Sequence, residues 1–224
     1  MLTVGDRHVV GFDREKIDEA LGVKSALPEL GAEELVQRAK RLLSAALQHA
    51  QQLPSAHYDT PIPGLQDAVT FNLAGSGALV LSDGRPYVPH ATNIGLFRHI
   101  IAHGSKLRRL LEREPADYEN VAAYAPYGEL LPELGLDQLS AQLRADLERI
   151  DAAWVMHGEN GLDQAVATWA GPQTLRQILS RDAYSLAQHA RQLQTVIQDL
   201  GIEPRRPIDP RDFEGLGLPD RVWS

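Results

Sequence analysis

The chain has 224 residues and a net charge of −8, with 30 acidic and 22 basic side chains. A negative chain of this size argues against general binding to nucleic acid or to an anionic membrane surface. It contains no cysteine, which excludes disulfides, thiolate metal ligands and cysteine nucleophiles within the chain. Because it shows neither a bilayer-spanning apolar run nor a signal pattern, we expect one cytoplasmic domain with a small appendage.

Residues 1–25 form the appendage. Two short apolar runs, Leu2–Val4 and His8–Gly11, flank a Gly-Asp-Arg turn and predict a β-hairpin. Asp13 then caps a short predicted helix that ends at Gly22. A hairpin and one short helix are too small to bury a core alone.

Hydrophobic periodicity predicts four long amphipathic helices. Apolar side chains recur at alternating steps of three and four residues, and prolines, glycines and capping side chains mark the ends. The predicted helices cover Gly31–Leu53, Thr92–Glu114, Leu136–His157 and Thr174–Leu200. Together with a long first connection, residues 54–91, they predict a mainly α four-helix bundle, in which facing side chains can build a metal or ligand site.

The connections and the tail are less regular. The 54–91 connection holds a predicted hairpin within residues 78–88 and is either a lid or a variable surface insertion. A short strand is predicted at Ala165–Trp169, and the basic run at 106–109 is predicted to be solvated. The tail from Ile202 to Ser224 is predicted to lie on the surface. Its apolar anchors would be Phe213, Leu216, Leu218 and Trp223.

Two polar residues interrupt the apolar stripe of the fourth helix. The stripe runs from Leu175 to Leu200 and is aliphatic except at Asp182 and His189. A carboxylate and an imidazole on such a stripe cost free energy unless they are ion-paired, hydrogen-bonded or bound to a metal. They indicate either a functional site or residues that a neighbouring helix satisfies, for instance an arginine beside Asp182.

The second helix carries His99 and His103 one turn apart on one face. Packed against the fourth helix, they would present two or three ring nitrogens and one carboxylate to a divalent cation. Three protein ligands and one open position form the arrangement of a catalytic zinc, which lowers the pKa of its bound water or thiol. The alternative is that each histidine is only a satisfied core or helix-end residue.

Several stretches resemble known families. Residues 5–22, GDRHVVGFDREKIDEALG, resemble the last hairpin and helix of a glutaredoxin-type domain, although the redox C-x-x-C of that family is absent. The motifs AGPQTL at 170–175, RDAYSLAQHARQL at 181–193 and LPDRVW at 218–223 resemble those of DinB-like (YfiT-type) four-helix bundles. The implied domains are a glutaredoxin-like C-terminal remnant over 1–25 and a DinB-like bundle over 29–224.

The DinB-like resemblance implies a three-histidine site for a divalent metal, Zn or Ni. One ligand would come from the second helix and two from a His-x-x-x-His on the fourth. His99 matches the second-helix ligand, and His189 matches the second histidine of the pair. Ser185 stands where the first would be, and serine is a poor ligand. Either His103 or Asp182 replaces it, or the site holds no metal.

The resemblance also implies an enzyme that activates a low-molecular-weight thiol as thiolate. Three functions follow for a chain that acts on or binds a small molecule. The first is a metal-dependent thiol S-transferase or hydrolase in which His99 and His189 hold the ion, assisted by His103 or Asp182. The second is a metal-free enzyme that uses Asp182 and His189 as catalytic acid and base. The third is a non-catalytic binding or stress-associated bundle. We also expect a homodimer, and we expect no nucleic-acid or membrane partner.

Overall fold

A computed structural model describes residues 2–4, 7–9, 30–62, 92–116, 118–119, 134–168, 171–219 and 222. Within them lie four long α-helices: α1 Ala32–Gln52, α2 Asn93–Leu111, α3 Leu136–His157 and α4 Leu175–Asp199. The predicted mainly α fold is therefore confirmed. None of these helices is long and apolar enough to cross a membrane.

The helix ends follow from local chemistry. Thr92 caps α2 by accepting a backbone N–H with its side-chain oxygen at 3.2 Å, and Thr174 forms a capping box with Gln177 at the start of α4. α2 ends at Leu111, earlier than the predicted Glu114. Two residues further on, Arg113 adopts a left-handed conformation with φ of 58°, which a continuing helix cannot accommodate.

Cross-helix contacts give the relative directions of the helices. Along α2 and α4, His99 meets His189 and Lys106 meets Asp182. Residue numbers rise on one helix as they fall on the other, so α2 and α4 are antiparallel. The largest of the helix interfaces joins α1 to α4, and α2 packs against both α3 and α4.

The apolar faces of the helices share one core. Gly104 brings α2 close to its neighbours, because a Cβ atom there would stand 3.2 Å from the side chain of Leu43 and 3.4 Å from that of Leu143. The fully buried side chains include Leu35, Leu42, Leu96, Phe97, Ile100, Ile101, Leu139 and Leu143. These residues pack α2 against α1, α3 and α4.

Two short hairpins accompany the helices. β1 (Leu2–Val4) pairs antiparallel with β2 (Arg7–Val9), which confirms the predicted N-terminal hairpin. β3 (Ala165–Val166) pairs with β4 (Gln173–Thr174). β3 is shorter than the predicted strand, and β4 was not predicted because it runs directly into the cap of α4. The predicted helix after Asp13, the predicted hairpin at 78–88 and the predicted anchor Trp223 lie outside the described residues.

The tail that follows α4 packs along α1. Leu216 is buried in the core as predicted, together with Ile208. Polar contacts add to this anchoring, since Arg41 pairs with Asp212 at 2.7 Å and Gln52 donates to the backbone carbonyl of Glu203 at 2.8 Å. The tail is therefore part of the folded unit.

The prediction that the basic run on α2 is solvated is wrong for two residues. Lys106 and Arg108 are only 7% and 6% exposed. Arg108 lies between α2 and α3, where its guanidinium is 3.0 Å from Asp146 and 2.7 Å from Glu114. Consecutive helical residues point about 100° apart, so a run of basic residues does not share one face, and Lys106 turns toward α4 instead.

Candidate metal centre

Three histidines from two helices meet between α2 and α4. Nε2 of His99 lies 3.0 Å from Nε2 of His189 and 3.3 Å from Nε2 of His103. Ligand nitrogens from all three lie within 4.8 Å of one another. His99 and His103 are 7% and 6% exposed, and His189 is half-buried. The ring of His99 stands nearly perpendicular to the other two.

Two of these separations match the spacing of ligands around one ion. Imidazole nitrogens bind zinc at about 2.0–2.1 Å, so two of them on a tetrahedral ion stand about 3.3 Å apart. The His99–His189 and His99–His103 distances are 3.0 and 3.3 Å. The cluster could therefore hold a metal ion. Three nitrogen ligands would leave one position open, which is the arrangement of catalytic rather than structural zinc.

The helix register explains how His103 reaches the cluster. The two cross-helix contacts that make α2 and α4 antiparallel place Ser185 opposite His103. The sequence left open whether His103 or Asp182 stands in for the ligand that Ser185 cannot supply. The structure brings His103 to His99 and His189. Two histidines thus come from α2 and one from α4, the reverse of the distribution that the resemblance implies.

Asp182 belongs to a separate contact. Its Oδ1 lies 3.1 Å from Nζ of Lys106, and the two side chains are 5% and 8% exposed. A lysine from the neighbouring helix thus pairs with Asp182, where the sequence suggested an arginine as one alternative. Burial lowers the pKa of Lys106, Asp182 counteracts that effect, and Arg181 adds to it. Asp182 also contributes, after burial, to a raised pKa of Tyr118.

The predicted catalytic pair is thus divided between two contacts. Asp182 and His189 are seven residues apart on α4, about 10.5 Å of helical rise. Asp182 faces Lys106, and His189 faces His99. Asp182 does lie beside His103, because both line a small apolar gap between the helices. The two contacts are neighbours in the same interface, but they pair different groups.

Two buried polar residues, Gln192 and His49, were not predicted from the sequence to take part in a contact. Gln192 is buried, and its Oε1 lies 2.8 Å from Nδ1 of His189. The i, i+3 spacing on one helix is a signal that could have indicated this contact. His49 is buried in α1, where its Nε2 lies 3.0 Å from the carbonyl oxygen of Arg206, and burial lowers its pKa.

An open cleft of about 510 Å³ lies near the start of α4, away from the histidines. Its lining includes Arg113, Tyr118, Gln164, Val166 and Leu175. Leu175 precedes His189 by fourteen residues, about 21 Å along a helix. The cleft is therefore separate from the candidate metal centre.

Comparisons with protein-family models, with curated proteins and with solved structures give no match for this chain. The DinB-like and glutaredoxin-like resemblances therefore stay predictions, as do the small-molecule substrate, the homodimer and the cytoplasmic location. The case for a function rests on the geometry of the histidine cluster.

Proposed function

We propose that this chain is a divalent-metal-dependent enzyme of the DinB-like four-helix-bundle type. It would act as a thiol S-transferase or a hydrolase on a small-molecule substrate. His99, His103 and His189 would hold the ion, Zn or Ni, through their Nε2 atoms. The observation that carries the proposal is the convergence of these atoms, at 3.0 and 3.3 Å, inside the protein.

The protonation of the three rings supports a metal between them. The Nε2 atom of a neutral imidazole carries either a proton or a lone pair. Nε2 of His99 lies within 3.3 Å of both other Nε2 atoms, yet its one proton or one lone pair serves a single linear hydrogen bond. A divalent cation suits all three atoms at once, since all three lone pairs can bind it.

The protein itself orients the histidine rings and surrounds them with apolar side chains. His99 and His103 project from α2, whose neighbours Leu96 and Ile100 are fully buried, so the two rings are held on a rigid element. Leu107 and Leu186 line the interior beside His103 and keep its dielectric constant low. When bound, the ion would lower the pKa of a thiol or water in its open position.

Metal analysis tests the ligand assignment. We expect the purified wild-type protein to contain stoichiometric metal by elemental analysis and to bind Co²⁺ with the visible absorption of a tetrahedral site. His103→Ala should weaken Co²⁺ binding by more than the roughly 10–100-fold that loss of an outer-shell partner costs. His157→Ala is the matched control, because His157 lies at the far end of α3. Equal metal binding by wild type and His103→Ala would contradict the proposal.

A second measurement tests whether a thiol or water occupies the open position of the ion. Calorimetry with a low-molecular-weight thiol should show binding to the Zn²⁺-loaded protein and much weaker binding to the metal-free protein, because the thiolate would occupy the open position. Binding of Zn²⁺ without any affinity for thiols would favour water and a hydrolase.

We favour the metal site over the metal-free alternative because of the position of Asp182. A general base needs a free route to the proton that it removes. Asp182 is 4% exposed and ion-paired with Lys106, so it is poorly placed to act with His189 on one substrate. A non-catalytic binding function has one specific observation in its favour, which is the open cleft beside Tyr118.

A further inference from the structure

Gln192 connects the histidine cluster to the C-terminal tail. It lies on α4 one turn after His189 and is 1% exposed. Its Oε1 is 2.8 Å from Nδ1 of His189. Its Nε2 is 3.2 Å from the backbone oxygen of Val222. Both ends of the side-chain amide are therefore used inside the protein.

The contact with Val222 determines which way the amide faces. A backbone carbonyl can only accept a hydrogen bond, so the NH₂ group of Gln192 must point at Val222 and its oxygen at His189. The amide oxygen is itself only an acceptor, so Nδ1 of His189 must carry the proton. In the neutral ring Nε2 then keeps its lone pair. This lone pair is directed at His99.

We propose that Gln192 is a positioning residue that holds His189 as the Nδ1–H tautomer, with Nε2 aimed into the cluster. The tail at Val222 keeps the Gln192 amide in the required orientation. The inference rests on the proposed metal site and adds to it a residue that controls its affinity. Hydrogen bonds to the second nitrogen of ligating histidines fix ring orientation, and their loss weakens metal binding by about 10–100-fold.

A neighbouring glutamine provides a matched control. Gln194 also lies on α4 and also anchors the tail, because its Oε1 accepts the backbone N–H of Ile208 at 2.7 Å. The structure gives Gln194 no contact with the histidines. Gln194→Leu should therefore perturb the tail to a similar degree as Gln192→Leu but leave the ring of His189 in place.

The experiment uses three variants of the full chain: Gln192→Leu, Gln192→Glu and Gln194→Leu. A carboxylate accepts through either oxygen, so Gln192→Glu holds the Nδ1–H tautomer without needing the tail. We expect Gln192→Leu to bind Co²⁺ about 10–100-fold more weakly, and the other two variants to bind it nearly as wild type does. Long-range ¹H–¹⁵N spectra of the metal-free proteins report the tautomer of His189, identified by comparison with His189→Ala.

The two measurements distinguish the possible failures. Wild-type Co²⁺ affinity and an unchanged Nδ1–H signal in Gln192→Leu would overturn the role of Gln192. Equal weakening in all three variants would also overturn it, because the cause would then be the tail alone. A wild-type protein that binds no Co²⁺ overturns the metal site, whereas loss of the Nδ1–H form in metal-free Gln192→Leu would still support the action of Gln192 on His189.

Discussion

Asp182 and His189 interrupt the same apolar stripe of α4, yet their partners differ in kind. Asp182 meets Lys106, a group of opposite charge, at 3.1 Å, and each satisfies the other. His189 meets His99, a group of its own kind, at 3.0 Å. Two ring nitrogens at this distance share a proton or bind a common ion. A polar residue on an apolar stripe therefore indicates a functional site when it meets groups of its own kind, and polarity alone is a weaker signal.

The largest effect on metal content should come from moving one histidine ligand from α2 to α4. Ser185 stands opposite His103 and one turn before His189 on the same face of α4. His103→Ala should abolish stoichiometric metal, and adding Ser185→His should restore it, because the new ring enters the cluster from the facing helix. Elemental analysis and Co²⁺ absorption would measure both.

An exposed serine on the same helix controls for the added histidine. Ser180 lies on the outer face of α4, so His103→Ala combined with Ser180→His should remain without metal. If the variant with Ser185→His also stayed without metal while the wild type bound it, the register argument would be wrong. That result would leave the assignment of His103 as a ligand untouched.

Substitutions in the Asp182–Lys106 ion pair should change the free energy of unfolding instead of the metal content. Asp182→Leu should destabilise the protein by about 3–5 kcal/mol, because it leaves the charge of Lys106 in the interior without this carboxylate. Replacing both partners, with Lys106→Met added, should bring the free energy of unfolding back to the wild-type value or above it. Urea denaturation of the single and double variants measures this cycle.

The affinity for Co²⁺ tests whether the ion pair and the histidine cluster are separate contacts. The double variant removes the whole ion pair but none of the three histidines, so its affinity for Co²⁺ should match that of the wild type. A large loss of Co²⁺ affinity would show that Asp182 takes part in the metal site, and the separation of the two contacts would then be refuted.

The helices were predictable because their signals are local. The bounds of α3 were predicted at Leu136–His157, as observed, from periodicity and end signals within the segment itself. The partners of the polar residues were not predictable, because they depend on how the helices rotate and slide against one another. That register brings His103 opposite Ser185 and turns Lys106, read from the sequence as solvated, toward Asp182.

The smallest expected effect, on the pH dependence of stability, concerns His49, a buried histidine that lies outside the cluster. Its Nε2 donates to the carbonyl oxygen of Arg206 at 3.0 Å, and burial lowers its pKa below the ordinary 6.5 although this hydrogen bond acts in the other direction. The unfolded chain therefore binds a proton at a higher pH than the folded one. Neutral His49 stabilises the fold fully above pH 6.5, and this contribution is lost as the pH falls below it.

His49→Gln isolates this contribution, because an amide can still donate to Arg206 and does not titrate. In metal-free protein, the free energy of unfolding should fall less in the variant than in the wild type between about pH 7 and about pH 5. The Co²⁺ affinity at neutral pH should not change, since His49 lies on α1 outside the cluster. Parallel pH curves would mean that His49 is not held neutral by burial. A shallower curve with intact metal binding would show that one buried histidine serves stability while three others serve the site.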